Sequence, residues 1–169
     1  CVPLETLLPA LKDVLVRWHA MGRPFEMMLW RLGRYHREGR AYRGAPAPYA
    51  ADSFDCASTH FLPYVTPDGT LVPCGSYTGS PAAAKLPNLL RTPLREAWDD
   101  PALRAICDLT KGDVREQNAS CQSCPHFPEC GSGCRVSAML TGGGLTRRDP
   151  VCCRLYRGGY MDDFHAFAR

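Results

Sequence analysis

The apolar positions of the first 43 residues recur at helical spacing and predict two helices. In the first helix, apolar residues three and four positions apart form one face, which comprises Leu4, Leu7, Leu8, Leu11, Val14, Leu15 and Trp18. After a break at residues 21–24, a second helix is predicted from about Phe25 to Glu38. A proline-rich connector at residues 44–50 cannot continue a helix, so it predicts a boundary between two parts of the chain.

A Thr-Pro-Asp-Gly-Thr turn predicts a β-hairpin over residues 60–74. Its proline presets φ, its aspartate can bond its own backbone, and Gly69 tolerates a positive φ. Because the second strand runs back along the first, the hairpin is expected to carry Cys74 towards Cys56.

Proline also marks the start of two short helices between residues 88 and 109. Thr92 and Asp100 each precede a proline, which predicts an N-cap followed by proline at the first helical position. Residues 110–150 show little periodicity and much Gly, Pro, Asn and Ser, so irregular structure is predicted there. Burial alone could hardly hold such a long irregular stretch. Residues 151–169 predict one more short helix, in which the packing candidates are Leu155, Tyr160, Phe164 and Phe167.

Composition places the chain among folded globular proteins. It has 169 residues, of which 45% are hydrophobic and 22% charged, with a net charge of +3. That charge is too weak to predict binding to nucleic acid or to a membrane surface. No apolar run approaches the roughly 18 residues of a membrane span, and no signal-peptide pattern opens the chain, so a cytoplasmic location is predicted. A first residue of Cys1 rather than Met suggests a piece of a longer protein.

Ten cysteines are the most informative feature of the composition. They are Cys1, Cys56, Cys74, Cys107, Cys121, Cys124, Cys130, Cys134, Cys152 and Cys153. Their clustering in the second half of the chain favours a shared ligand over distant disulfides, although the even number is compatible with disulfides. Zinc accepts four thiolates, but its usual pair of C-x₂-C motifs is incomplete here. Iron–sulfur clusters tolerate compact runs of mixed short spacing. From spacing alone, all three alternatives stay open.

The complete cysteine order resembles a known family. Cys56 is followed by twelve residues, Gly69, four residues and Cys74. Further along stand Cys121-x₂-Cys124-x₅-Cys130-x₃-Cys134 and, after a gap, Cys152. Over about residues 52–160 this pattern resembles the seven-cysteine signature of the SPASM domain, the C-terminal auxiliary-cluster domain of many radical S-adenosylmethionine (SAM) enzymes.

The resemblance implies an α+β fold. A small β-hairpin and cysteine-rich irregular loops would be organised around two [4Fe–4S] clusters and flanked by short helices. Residues 51–169 would form the SPASM domain. Residues 1–50 would hold a linker and the N-terminal helices, taken as the end of a preceding partial (β/α) barrel.

The resemblance also implies two ligand sets, with one crossing ligand. The first cluster would be bound by Cys56, Cys74 and Cys134. The second would be bound by Cys121, Cys124, Cys130 and Cys152. The first set has three members, which leaves one iron open to substrate or solvent unless Cys1 or Cys107 fills the position. Cys107 sits on an apolar helix face, where a buried free thiol is the favoured role. Cys153 could replace its neighbour in the second set.

The resemblance implies that the chain is one domain of an oxidoreductase. It would be the auxiliary domain of a radical SAM enzyme that modifies a peptide or protein, with a ribosomally made peptide as the leading substrate. No C-x₃-C-x₂-C motif occurs in the chain, so SAM and a third [4Fe–4S] cluster are expected in a missing N-terminal part. Its partners would be the radical SAM barrel and an external electron donor, with neither nucleic acid nor a membrane. Gly75 stands where the sulfatase-maturing branch carries aspartate, which argues against that activity. The alternative is a non-catalytic zinc-binding interaction module.

Overall fold

The structure is a computed structural model. It describes residues 3–29, 32–35, 41–42, 51–53, 56 and 62–166. The chain divides into two compact units, of which one comprises Cys1–Ala47 with Leu155–Arg169 and the other Pro48–Arg154. The identity of residues 1–50 as the end of a radical SAM barrel stays a prediction.

The first predicted helix is present as α1 (Leu4–Ala20). Its buried residues are Leu8, Leu15 and Trp18, all members of the predicted apolar face. The indole nitrogen of Trp18 donates a hydrogen bond of 2.8 Å to the carbonyl oxygen of Phe25, beyond the end of the helix. The helical spacing therefore correctly predicted both the helix and the face that it buries.

The second predicted helix, from Phe25 to Glu38, is wrong. The described residues there form a three-stranded antiparallel sheet in the order β1 (Met27–Leu29), β2 (Gly33–Tyr35) and β3 (Ala41–Tyr42). Leu29 pairs with Gly33 across the first turn. A glycine inside a helix costs about 1 kcal/mol relative to alanine, and short apolar runs fit a strand as well as a helix.

The predicted hairpin is confirmed in the other unit. Strands β4 (Tyr64–Val65) and β5 (Leu71–Val72) pair antiparallel. Gly69 has a φ of +86°, and its backbone N–H donates to the carbonyl of Thr66 at 2.8 Å. The side-chain amide of Asn88 donates to the backbone carbonyl of Asp68 at 2.8 Å, which ties the turn to the following segment.

The two short helices after the hairpin are also confirmed, as α2 (Leu94–Trp98) and α3 (Pro101–Cys107). Asp100 caps α3 as predicted, because its carboxylate accepts from the backbone N–H of Ala102 at 2.8 Å. The predicted cap at Thr92 is wrong. Pro93 occupies the N-cap position with an extended ψ of 146°, and no side chain caps that helix.

The prediction of irregular structure over residues 110–150 is wrong. The segment contains α4 (Lys111–Glu116), α5 (Ala119–Gln122), α6 (Phe127–Cys130) and α7 (Arg135–Gly142). Each spans only one or two turns, which is too short for helical periodicity to appear in the sequence. The start of α4 is fixed by a capping box between Thr110 and Asp113.

The last predicted helix consists of two helices, α8 (Pro150–Arg157) and α9 (Tyr160–Ala166). They are separated at Gly159, whose φ is +73°. Leu155 and Phe164 are buried as expected, while Phe167 lies outside the described residues. No helix in the described part of the chain is long and apolar enough to cross a membrane.

One apolar cluster organises the unit Pro48–Arg154. Its buried members are Leu71, Val72, Tyr77, Leu86, Ala97, Leu103, Ile106, Cys107 and Val136. Cys74 and Cys134 are partly buried and pack against this cluster. The hairpin, α3 and the start of α7 are therefore brought together around a core that already includes thiols.

Candidate metal centre

Three distant cysteines of the first predicted set lie around Tyr77. Burial raises the pKa of Tyr77 above its ordinary range, and the charges of Cys74 and Cys134, then of Cys56, raise it further. Tyr77 ends a 3₁₀ turn (Gly75–Tyr77) that begins directly after Cys74. The structure thus gathers thiols from a segment before the hairpin, from the end of the hairpin and from the start of α7.

Cys107 lies beside this first set. Its side chain is 1% exposed and belongs to the apolar cluster, as expected for a thiol on the inner face of a helix. Burial raises the pKa of Cys107 to about 11, and the charges of Cys56 and Cys74 contribute to the rise. The first set therefore has a fourth thiol nearby.

Three cysteines of the second predicted set meet around Ser132. The thiols of Cys130 and Cys152 share a hydrogen bond, which raises the pKa of Cys130 above its ordinary range. The sulfur of Cys121 lies 3.5 Å from the hydroxyl oxygen of Ser132. The fourth cysteine of this set, Cys124, is held close to Cys121 by a backbone hydrogen bond, because its N–H donates to the carbonyl of Cys121 at 3.2 Å.

The loop between Cys130 and Cys134 has an unusual backbone. Gly131, Ser132 and Gly133 all have positive φ, at 54°, 67° and 83°. A Cβ atom on Gly133 would lie 2.5 Å from the Cβ of Asp149 and 2.6 Å from that of Cys152. Glycine at this position therefore permits the close approach of the chain that carries Cys152.

Asp149 connects the two sets of cysteines. It is fully buried, and one carboxylate oxygen, Oδ2, accepts from the backbone N–H of Cys134 at 3.0 Å. The other oxygen, Oδ1, accepts from the Ser137 hydroxyl at 2.8 Å, from the N–H of Val151 at 2.9 Å and from that of Cys152 at 3.3 Å. One side chain therefore positions a cysteine of each set.

Arg135 fixes the loop that leads to Asp149. It is 2% exposed, and its guanidinium nitrogen Nη1 donates to the carbonyls of Leu145 and Arg147 at 3.0 and 2.9 Å. Its Nη2 donates to the carbonyl of Ser132 at 2.5 Å. Hydrogen bonds to backbone carbonyls offset much of the cost of burying a charge, and these bonds close the loop against the cysteine turn.

The disulfide and zinc alternatives find no support in this geometry. None of the nine cysteines among the described residues forms a disulfide. Within the same residues, no group of three or more His, Cys, Asp or Glu side chains is placed to hold a single metal ion. The thiols near Tyr77 and those near Ser132 belong to the two predicted ligand sets.

A comparison with known families matches residues 56–125 to SPASM, described as an iron–sulfur cluster-binding domain. This part of the chain matches the SPASM family. The matched range includes Cys56, Cys74, Cys121 and Cys124, and the remaining predicted ligands follow it in the chain. No solved structure matches the chain. SPASM domains bind iron–sulfur clusters and typically form part of radical SAM enzymes.

The residues present fit the group that a SPASM domain binds. Iron–sulfur clusters are held by cysteine thiolates, and the described residues place two separate groups of cysteines within the same unit. The first group also faces a buried hydroxyl, that of Tyr77, which has no hydrogen-bond partner among the described residues. Such an orphaned polar atom is rare in a folded protein unless a bound group satisfies it.

Sequence reasoning missed Asp149 and Arg135. The signal for Asp149 was present, because Asp149-Pro150 repeats the Asp-Pro pair that correctly predicted the cap of α3. Its bond to Cys134, fifteen residues away, had no local signal. Arg135 offers no sequence pattern either, since its acceptors are backbone carbonyls of a loop.

Proposed function

We propose that this chain is the auxiliary-cluster part of a radical SAM enzyme that modifies a peptide or protein. The observation that carries the proposal is the convergence of cysteines from distant segments on two neighbouring sites within a SPASM domain. A ribosomally made peptide is the proposed substrate, and the catalytic cluster with SAM would lie in another part of the enzyme.

We propose that the ligands divide into two sets, and the contacts around Tyr77 and Ser132 support this division. Cys56, Cys74 and Cys134, around Tyr77, would hold one [4Fe–4S] cluster. Cys121, Cys124, Cys130 and Cys152, around Ser132, would hold the other. Support for the crossing of Cys134 comes from Asp149, whose carboxylate holds the backbone of this cysteine on one side and that of Cys152 on the other.

Cys107 is the fourth thiol that we propose for the first set. Its support is its position in the apolar cluster against which Cys74 and Cys134 pack, within reach of the charges of Cys56 and Cys74. Binding to iron would displace its proton, as it does for any cysteine ligand. Cys1 lies outside the described residues, and Cys153 is a neighbour of the second set.

When bound, the two clusters supply electron transfer and a place for substrate to bind. The chain itself holds their ligands and excludes water from the first site, because Leu71, Val72 and Tyr77 around it are buried. The buried side chains of Asp149 and Arg135 hold the backbone around Ser132, Cys134 and Cys152 in place by hydrogen bonds.

The proposal is tested by purifying the full-length enzyme without oxygen and measuring its metals. We expect a brown protein with about eight iron atoms and about eight sulfides assigned to this part, from two clusters of four. Expressed by itself, the chain should give the same stoichiometry if it folds alone. A colourless protein that contains zinc would refute the proposal.

Two neighbouring cysteines provide a matched pair of variants. Cys152→Ser should lose about half of this iron, because it removes a ligand of one cluster. Cys153→Ser removes a thiol from the next position and should keep the iron. Cys107→Ser should alter the EPR spectrum of the first cluster alone. Equal losses in the Cys152 and Cys153 variants would contradict the proposed assignment.

A further inference from the structure

The phenol of Tyr77 is a completely buried polar group beside the first set of cysteines. The residue is 0% exposed, yet its hydroxyl has no hydrogen-bond partner among the described residues. Leaving a buried hydroxyl unsatisfied costs about 1–3 kcal/mol. The cost is removed if an acceptor occupies the adjacent space.

The surroundings of Tyr77 indicate what that acceptor is. Its ring belongs to the apolar cluster against which Cys74 and Cys134 pack. The charged groups that most affect the pKa of its hydroxyl are the thiols of Cys74 and Cys134, followed by Arg135 and Cys56. Arg135 has only donors, so among these groups sulfur is the one that can accept a hydrogen bond.

The backbone fixes the ring relative to Cys74. The N–H of Tyr77 donates to the carbonyl of Cys74 at 3.0 Å, within the 3₁₀ turn that follows this cysteine. The same turn therefore holds the backbone of Tyr77 close to a candidate ligand. A hydroxyl held in this way is a fixed donor rather than one recruited from solvent.

We propose that the hydroxyl of Tyr77 donates a hydrogen bond to a sulfur of the first cluster and raises its reduction potential. Reduction adds negative charge to the cluster, and a donor to sulfur stabilises the more negative state. Tyr77 is then a positioning and tuning residue and not an iron ligand. The inference rests on the proposed function, since it requires that the first set of cysteines binds a cluster.

Tyr77→Phe removes the hydroxyl oxygen and keeps the ring in the core. The iron content should stay at the wild-type value, while the equilibrium constant for reducing the first cluster should fall about tenfold. For a one-electron couple this corresponds to a shift of about 59 mV to lower potential, measured by EPR-monitored redox titration of the full-length enzyme. The potential of the second cluster should not change.

Tyr64→Phe is the matched control, because Tyr64 lies on β4 of the same unit but is exposed. It should leave both potentials at their wild-type values. A Tyr77→Phe protein with unchanged iron and an unchanged first potential would overturn the inference and leave the proposed function intact. Absence of iron from the wild-type protein would overturn the proposed function itself.

A second readout needs no variant. Wild-type protein made with ring-deuterated tyrosine should show deuterium couplings in the EPR signal of the reduced first cluster, because the ring of Tyr77 would lie next to it. A first-cluster signal without deuterium coupling would overturn the inference even if Tyr77→Phe failed to fold.

Discussion

Asp149→Asn perturbs the connection between the two cysteine sets by exchanging a single atom. Three donors meet Oδ1 of the carboxylate, and the backbone N–H of Cys134 donates to Oδ2. The amide oxygen of asparagine is therefore expected to take the place of Oδ1. Its NH₂ group would then face the N–H of Cys134, and two donors would oppose each other.

The expected loss follows from this geometry. A hydrogen bond to a charged acceptor contributes about 1.5–3 kcal/mol, and the substitution also leaves the N–H of Cys134 without its acceptor. We expect the free energy of unfolding to fall by about 3 kcal/mol. With an m-value of about 2 kcal/mol/M, the urea midpoint should decrease by about 1.5 M.

The assay is urea unfolding of the anaerobically purified protein, followed by fluorescence and by the visible absorption of the clusters. Asp100→Asn is the matched control, because the Oδ1 atom of Asp100 caps α3 by accepting from the backbone N–H groups of Ala102 and Leu103. Asparagine and aspartate are similar N-caps, so this midpoint should stay within about 0.3 M of the wild type. If the Asp149 and Asp100 variants unfold at the same midpoint, Asp149 does not connect the two sets.

Three further substitutions test other parts of the same site. Gly133→Ala should lower the free energy of unfolding by about 3 kcal/mol, because its new Cβ would clash with Asp149. Gly143→Ala has nearly the same positive φ but nothing within 4 Å of its Cβ, so it should lower this free energy by only about 1 kcal/mol. Equal urea midpoints for the two variants would show that the clash with Asp149 is not real. Arg135→Lys should lower it by about 2–4 kcal/mol, because an ammonium cannot replace the guanidinium that donates to several loop carbonyls; an unchanged midpoint would refute this. Thr110→Ala should cost about 1 kcal/mol through loss of the α4 capping box and leave the iron content unchanged, so a loss of iron would contradict the separation of that cap from the cluster sites.

The parts of the fold that could be predicted are those whose signal is local. The hairpin depends on a turn of consecutive residues that includes Gly69, whose positive φ the sequence anticipated. The cap of α3 depends on Asp100 and the proline after it. In both cases the residues that determine the structure are neighbours in the chain.

The parts that could not be predicted depend on contacts between distant segments. The side chain of Asn118, at the start of α5, donates to the carbonyls of Val114 and Thr146, and no sequence pattern announces the second of these bonds. The short helices between residues 110 and 150 were therefore missed. Residues 27–35 were assigned to a helix because three-residue strands leave too few positions to distinguish the two periodicities.

The candidate site shows the same division. The order and spacing of the cysteines indicated the family, and the match over residues 56–125 confirmed it. The surroundings of the cysteines could not be obtained in this way. Tyr77, Arg135 and Asp149 are ordinary residues in the sequence and become informative only through burial and through the partners that the fold gives them.

Substitution of Cys134 tests whether the cysteines form two separate cluster sites or a single one. Along the chain Cys134 stands four residues from Cys130, but it packs on the side of Tyr77 and Cys74. EPR spectra of the reduced protein should therefore contain two cluster signals. Cys134→Ser should abolish or alter the signal that Cys74→Ser affects and preserve the one that Cys130→Ser affects. A Cys134→Ser spectrum that matches the Cys130→Ser spectrum instead would contradict the two-site arrangement.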